Sequence, residues 1–270
     1  MPTDPAAAAL PATATTPATA TIPVVVEPSW PVPAHVRAAT TTRLGGASSG
    51  ACAALNMGYG GGDQAANVDK NRARVAAYLQ LPSAPCWLRQ VHGTLCVRAE
   101  DSSVNTRADA SFTRQPGTVC VVITADCLPV LLAAEDGSAV AAAHAGWRGL
   151  SAGVLEATVS ALQTPPERLA AWLGPAISGA VYEVDVPVRE AFLNAHPADE
   201  NGFVVNRPNH WLADLYALAR ARLERLGVRS VSGGEYCTYS DTARFYSYRR
   251  DGASGHMASF IWIERGENTA

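Results

Sequence analysis

Short apolar runs separated by turn residues dominate the middle of this chain. Segments 117–134 and 139–145 are almost wholly apolar, and residues 135–138 between them contain the Asp-Gly pair that is typical of hairpin turns. Runs of this kind predict a strand, a bend, a second strand, a turn and a third strand. Further short strands are expected at 36–42, at 86–93 and at 169–178, where the last strand leads into a loop.

Other segments repeat their apolar residues with helical spacing. Residues 61–82 place Val68, Val75 and Leu79 near one face, and Pro82 ends the pattern. The predicted helices cover residues 61–82, 149–163, 186–196 and 210–228. A terminal hairpin of two strands is expected at 244–264. Because strands and helices do not alternate as βαβ units, we expect an α+β fold, a single domain with a mixed β-sheet flanked by helices.

The two ends of the chain differ in composition. Residues 1–23 are mostly Ala, Thr and Pro without a basic residue, so we expect a disordered tail rather than a secretory signal. Residues 24–270 are expected to form the single catalytic domain. No run of about twenty apolar residues occurs, so no membrane span is expected.

Charge and cysteine usage narrow the class of protein. The formal net charge is −3 and Lys70 is the only lysine, which gives little support for binding nucleic acid or a membrane surface. The chain has six cysteines and no C-x-x-C pair, a pattern typical of a reduced cytoplasmic protein. We expect a monomer or a weak homodimer.

Three metal-ligating residues lie at the ends of apolar segments. His92, Cys127 and His144 are each followed within two residues by glycine or proline, which places them where a rigid sheet presents side chains to a site. Two imidazoles and a thiolate leave the fourth position of a tetrahedral zinc site open, and the same donors suit copper. Taken singly, a buried cysteine or a hydrogen-bonded structural histidine is the commoner outcome, and spacing alone does not show that the three converge.

Arginines and aromatic residues suggest ligand contacts of a second kind. Arg43 lies in a Gly/Ser/Thr-rich loop, Arg148 follows His144, and Arg249 follows Tyr248. Guanidinium groups suit an anion such as phosphate, although a surface ion pair is the more common role for any one arginine. Aromatic residues that could stack on a flat ligand or merely pack are Trp147, Tyr246 and Tyr248.

Ten motifs occur in a fixed order along the chain: TTRLGG, LNMG, QVHG, RADAS, TADCLPVLL, AAHAGWRG, LGPAIS, YEV, CTYS and FYSYRRD. Together they closely resemble the YfiH-type laccase-domain family, also called the multicopper-polyphenol-oxidase-like or peptidoglycan-editing-factor family, over residues 36–263. The resemblance implies an α+β fold related to cysteine-dependent toxin hydrolases. It also implies metal ligation by His92, Cys127 and His144, usually of zinc and, in the older oxidase naming, of copper.

The resemblance further implies an activity. Family members are known as purine nucleoside phosphorylases that cleave adenosine, inosine, guanosine and methylthioadenosine with phosphate, and that also deaminate adenosine. On this basis we expect Arg43 and either Arg148 or Arg249 to bind phosphate. Asp109 is expected to support the metal site or transfer a proton. Asn56 is expected to hydrogen-bond a ligand or orient a loop, and Tyr248 to contact substrate. Asp126 is expected to point away from Cys127, as on an extended strand.

Three alternatives remain. A cysteine hydrolase would use Cys127 as nucleophile and His144 or His92 as base, without metal. A peptidoglycan-precursor quality-control factor would act by binding a partner. A copper polyphenol oxidase is disfavoured, because four coppers demand about ten imidazoles and the chain has six histidines.

Overall fold

The computed structural model of the protein describes residues 22–266. Its strands are β1 Val25–Val26, β2 Val36–Thr41, β3 Cys96–Arg98, β4 Ala110–Thr113, β5 Val119–Thr124, β6 Leu128–Ala134, β7 Val140–Ala145, β8 Leu169–Leu173, β9 Glu183–Asp185, β10 Phe203–Arg207, β11 His210–Ala213, β12 Ser230–Gly233 and β13 Met257–Ile263. Its α-helices are α1 Ala65–Tyr78, α2 Trp147–Ala152, α3 Val154–Leu162, α4 Val186–Ala195, α5 Leu215–Leu226 and α6 Tyr248–Asp251. Of the tail predicted at 1–23, residues 1–21 lie outside the described residues.

The strands form two large sheets and one small one. A mixed six-stranded sheet has the order β12-β8-β6-β7-β4-β3, and an antiparallel four-stranded sheet has the order β1-β2-β13-β5. In the larger sheet β12 runs parallel to β8 and β3 runs parallel to β4, whereas the other pairs are antiparallel. A three-stranded ribbon, β10-β11-β9, lies apart from both. The α+β class with a mixed sheet is therefore confirmed, and the second large sheet is an addition to it.

The side chains of β7 alternate between its two faces, which lets the six-stranded sheet pack against the four-stranded sheet on one face and against helices on the other. In β7, Val140 and Ala142 belong to an apolar cluster shared with β2, β5 and β13, whereas Ala141 and Ala143 belong to the cluster packed on α3 and α5. Because successive strand residues point to opposite faces, a central strand that is covered on both sides must be apolar at every position. The layers run α1, four-stranded sheet, six-stranded sheet, and then helices α3–α5.

Two predicted helices begin or break differently from expectation. The helix expected at 149–163 consists of α2 and α3, separated by Gly153 with a φ of 103°. The helix expected at 210–228 starts as strand β11, and α5 follows only after Asp214, whose carboxylate accepts hydrogen bonds from the N–H groups of Tyr216 and Ala217. The ribbon therefore takes the first residues of a segment whose apolar spacing suited a helix.

Two predicted strand regions are wrong. Residues 86–93 form only isolated bridges, and the strand in this region is β3. The terminal hairpin does not form, because β13 pairs with β2 and β5 while its expected partner strand contains α6. The turn at α6 is stabilised by Ser247, whose hydroxyl accepts the N–H of Arg250. Within residues 22–266, no helix combines the length and apolar character that a membrane span requires.

Candidate metal centre

Three chain segments meet at one edge of the stacked sheets. His144 is the last residue but one of β7, and Cys127 lies in the bend between β5 and β6. The loop that carries His92 is held on β5 by Gln90, whose side-chain amide forms paired 2.8 Å hydrogen bonds with the backbone of Ile123. Residues distant in sequence thus converge because β5, β6 and β7 end or turn at the same edge.

The three side chains form a compact donor cluster. One ligand atom from each of His92, Cys127 and His144 lies within 4.8 Å of the other two. The Sγ of Cys127 is 3.9 Å from Nε2 of His92, and the two imidazole rings meet edge to face with centroids 4.7 Å apart. His144 is 3% exposed, whereas His92 is exposed at the opening. A metal bound here therefore has one open side.

Asp109 organises this cluster from beneath. Its fully buried carboxylate accepts hydrogen bonds from the backbone N–H groups of Val91, His92 and Gly93, the shortest being 2.7 Å from Gly93. Its Oδ1 also lies 2.9 Å from Nδ1 of His144. A carboxylate partner requires Nδ1 to carry the proton, which leaves Nε2 free to bind a metal. Asp109 therefore orients both histidines.

Gly146 keeps the cluster open. A Cβ at this position would lie 2.9 Å from Sγ of Cys127, 3.0 Å from Cδ2 of His92 and 3.4 Å from Nε2 of His144. The backbone of Gly146 has a φ of −63°, which any residue can adopt, so the requirement is for space and not for conformational freedom. The space beside the three donors and their soft chemistry fit a zinc or copper ion.

In the metal-free chain, electrostatic interactions shift the pKa values of Cys127 and His144. Burial raises the pKa of the Cys127 thiol, but His144 and His92 outweigh burial and bring that pKa to about 6. Burial lowers the pKa of His144, but Cys127 and Asp109 outweigh it and raise that pKa to about 9. The Cys127 sulfur is consequently a thiolate at neutral pH, the form that binds metals and attacks electrophiles.

Two of the predicted anion-binding arginines, Arg148 and Arg249, are close enough to Tyr182 to act on its pKa. Tyr182 is buried, and the charges of Cys127, Arg249 and Arg148 all act on its pKa, which burial raises. Arg249 stacks on the Tyr182 ring and donates one hydrogen bond to the carbonyl of Glu183. The Arg148 side chain is exposed, stacks on Trp147 and forms no hydrogen bond with residues 22–266. Of the three predicted anion-binding arginines, Arg148 therefore has the most donors free of bonds to residues 22–266.

Comparison with known proteins decides the family. The family model for multi-copper polyphenol oxidoreductase laccase matches residues 37–264. The chain is 50% identical to a purine nucleoside phosphorylase of Pseudomonas aeruginosa over 238 residues, covering 88% of this chain and 97% of that protein. It is 49% identical to the purine nucleoside phosphorylase YfiH of Escherichia coli K12 over 240 residues, covering 88% of this chain and 98% of that protein.

The chain belongs to the multi-copper polyphenol oxidoreductase laccase family. A solved structure agrees with this assignment. A Neisseria meningitidis protein superimposes with a TM-score of 0.86 at 46% identity, covering 89% of this chain and 99% of that one. The resemblance to the YfiH-type laccase-domain family that the motifs indicated is therefore confirmed.

Other predicted site residues of this laccase-family chain have structural partners. Arg43 donates from Nε and Nη2 to the carbonyl of Ala53 and from Nη1 to the carbonyl of Thr242. Three of its five N–H groups are thus engaged. The Asn56 side chain is fully buried and bonds Gly58, Asp63 and the backbone N–H of His256. Asn56 shapes a loop instead of facing the opening.

The three aromatic residues that could stack on a ligand differ in their exposure to solvent. Tyr246 is fully buried and its hydroxyl donates to the carbonyl of Cys52, so it packs in the interior. Tyr248 is 67% exposed at the start of α6. Trp147, the first residue of α2, is half-buried against the hydrophobic core. Tyr248 and Trp147 are the two with surface that a ligand can reach.

Asp126 points away from the cluster for a reason other than the one expected. Its backbone has a φ of 84°, so it lies in a bend and not on an extended strand. Its carboxylate accepts hydrogen bonds from Thr238 Oγ1, Ser247 Oγ and the N–H of Arg249. Asp126 thereby attaches the segment carrying Arg249 to the Cys127 bend.

The sequence interpretation passed over two residues that line this region, namely Tyr182 and His256. Tyr182 is inside the quoted motif YEV, so a signal was present. His256 lies outside all the motifs, and only its place before β13 brings it to this edge of the sheets.

Proposed function

We propose that the protein is a metal-dependent purine nucleoside phosphorylase. It cleaves adenosine, inosine, guanosine and methylthioadenosine with phosphate to the free base and ribose 1-phosphate or its methylthio analogue, and it deaminates adenosine as a side activity. The observation that carries the proposal is the three-donor cluster, with exposed Arg148 four residues beyond His144 along the chain, in a protein about half identical to relatives named purine nucleoside phosphorylase over nearly their full length.

The residues that hold the metal are His92, Cys127 and His144. Two imidazoles and one thiolate match the ligand set of catalytic zinc sites, so zinc is the proposed metal and copper the alternative. When bound, such an ion lowers the pKa of a coordinated water and stabilises developing negative charge. Multicopper oxidase chemistry is disfavoured, since it demands about ten imidazoles and the chain has six histidines.

The chain's own residues divide the remaining work. Phosphorolysis requires phosphate to be held beside the anomeric carbon while the purine departs with growing negative charge. Arg148 has N–H donors that no residue in 22–266 bonds, and Arg249 stacks on Tyr182, whose pKa both arginines affect. Such charge-assisted hydrogen bonds are stronger than neutral ones. Arg43 contributes at most its two free N–H groups, and Asp109 acts by holding His144 and His92 in position.

A cysteine hydrolase is the second candidate function. It is favoured by one observation, the low pKa of Cys127 beside His144, which produces a nucleophilic thiolate without any metal. The two functions separate on metal content. Alkylation of Cys127 that inactivates fully metal-loaded protein without releasing the metal supports the hydrolase. A peptidoglycan-precursor quality-control role would instead predict partner binding that survives loss of His92 or Cys127.

The deciding experiment is product analysis. Metal-analysed protein is incubated with adenosine, with and without phosphate, and adenine, inosine and ribose 1-phosphate are resolved. Adenine release that depends on phosphate supports the phosphorylase, and its absence refutes it. Cys127→Ala is expected to abolish both turnover and metal, whereas retained metal with lost activity supports the hydrolase. We also propose a cytoplasmic location, which is supported by six cysteines that are all free thiols.

A further inference from the structure

His256 emerges at the edge of the sheets that carries the metal cluster. It directly precedes β13, whose first residue, Met257, pairs with Thr124 at the end of β5. The same strand pairs with β2, where Ser259 lies opposite Thr40. His256 therefore lies between the segment that leads into Cys127 and the segment that leads into Arg43. The cluster of metal-ligating atoms within 4.8 Å of one another does not include it.

The glycine loop, residues 56–62, holds the backbone of His256 and one edge of its imidazole ring. Asn56 Oδ1 accepts the N–H groups of both His256 and Gly58, and the N–H of Met57 donates to the carbonyl of His256. A Cβ on Gly58 would lie 2.7 Å from Nδ1 and 3.0 Å from Cγ of the imidazole. The ring thus occupies the space that a side chain at position 58 would fill.

Neither nitrogen of this imidazole has a hydrogen-bond partner among residues 22–266. Nδ1 is buried against the glycine loop without a hydrogen bond to any residue in 22–266. Nε2 also forms no hydrogen bond with the described residues, but it is not fully buried, and the residue as a whole is half-buried. Buried polar groups are seldom left unpaired. An imidazole fixed in this way has one atom, Nε2, with which to bond a ligand.

The charge state of His256 favours a neutral ligand group. Burial lowers its pKa, and the nearby charge of His144 lowers that pKa further. A neutral imidazole donates or accepts one hydrogen bond per nitrogen, whereas phosphate is bound better by the cationic arginines. This division leaves the ribose hydroxyls and purine nitrogens as the groups that match His256.

We propose that His256 is a substrate-binding residue of this site, and that its Nε2 hydrogen-bonds the nucleoside and not the phosphate. The inference rests on the proposed phosphorylase function. His256→Phe keeps an aromatic ring on Gly58 and removes both nitrogens. Loss of one hydrogen bond to a bound group is expected to lower kcat/KM for adenosine about tenfold at saturating phosphate. The KM for phosphate and the metal content are expected to stay unchanged.

Gly58→Ala provides a second variant that leaves His256 in the chain. The new methyl group would displace the imidazole, so kcat/KM for adenosine is expected to fall here too. Gly60→Ala is the matched control, because its Cβ would lie 3.9 Å from Cε1 of His256, an ordinary contact. Neither glycine has a positive φ, so alanine introduces no backbone strain at either position. In the His256→Phe background, Gly58→Ala should add little.

The outcomes separate the two proposals. Wild-type protein without phosphate-dependent adenine release refutes the phosphorylase and, with it, the ligand assigned to His256. In an active wild-type protein, His256→Phe with unchanged kinetics, or with a raised KM for phosphate alone, overturns the inference. If His256→Phe does not fold, Gly58→Ala decides: a loss that Gly60→Ala does not share supports the inference, and equal activity of the two variants overturns it.

Discussion

Asp109→Asn tests how the metal centre is held. The carboxylate accepts three backbone N–H groups and the Nδ1 proton of His144 at full burial. An amide has a single accepting oxygen, and its NH₂ group must face one of these donors. Removing a partner that orients a metal-bound histidine typically weakens metal affinity by about 10- to 100-fold. We expect a loss in this range for zinc, measured by competition with a chromophoric chelator.

The same substitution is expected to destabilise the metal-free chain. One buried donor left unsatisfied costs about 1–3 kcal/mol, and we expect a loss of this size in the free energy of unfolding by denaturant titration at pH 7. Burial raises the pKa of Asp109, but the hydrogen bonds from His144, Gly93 and Val91 outweigh it and lower the pKa in the folded state. The difference between wild type and variant is therefore fully present above the unfolded pKa of about 3.9 and shrinks as pH falls through the lower folded value.

Asp126→Asn is the matched control. It replaces another buried carboxylate that accepts three hydrogen bonds, but the donors are Thr238, Ser247 and the N–H of Arg249, and none of them belongs to a metal ligand. This variant should lose stability and retain zinc affinity. Unchanged zinc affinity in Asp109→Asn, or equal losses of affinity in both variants, would refute the orienting role.

Three further predictions concern the same site. Metal-free protein is expected to react with iodoacetamide at Cys127 with a midpoint near pH 6, because His144 and His92 outweigh burial in setting the thiol pKa. Bound zinc should protect Cys127 from this reaction. A midpoint above pH 8 argues against the thiolate. Arg148→Ala should raise the KM for phosphate about tenfold by removing a charge-assisted bond, whereas Arg168→Ala, which removes an exposed ion pair with Asp136, should not. Gly146→Ala should weaken zinc binding, as its Cβ would lie 2.9 Å from Cys127 Sγ. Equal zinc affinity contradicts the need for an open side.

The sequence was sufficient for features that depend on local pattern. The apolar runs at 117–134 and 139–145 predicted β5, β6 and β7, because strands covered on both faces need apolar residues at every position. Helix spacing likewise predicted α1, α3 and α4. The local pattern predicted the wrong elements for residues 210–214 of the segment 210–228 and for residues 244–251. Their local pattern competed with pairing partners and with side chains such as Asp126 that are remote in sequence.

The candidate site shows the same division. Strand-end position and motif resemblance together named His92, Cys127 and His144, and the structure places the three within ligand distance. Residue type and motif context named Arg43 and Asn56, whose polar groups are largely engaged by backbone carbonyls and neighbouring loops. Residue type shows what a side chain can bond, but not whether another part of the chain already bonds it.

By itself the sequence determined the donor types, the strand that ends in His144 and the small residues that let that strand lie between two layers. Only the tertiary structure decided that β5, β6 and β7 deliver three donors to one edge, that Asp109 supports two of them, and that Gly146 leaves room for an ion. The reason is that register and sheet stacking bring together residues far apart in the chain, and no local spacing encodes those distances.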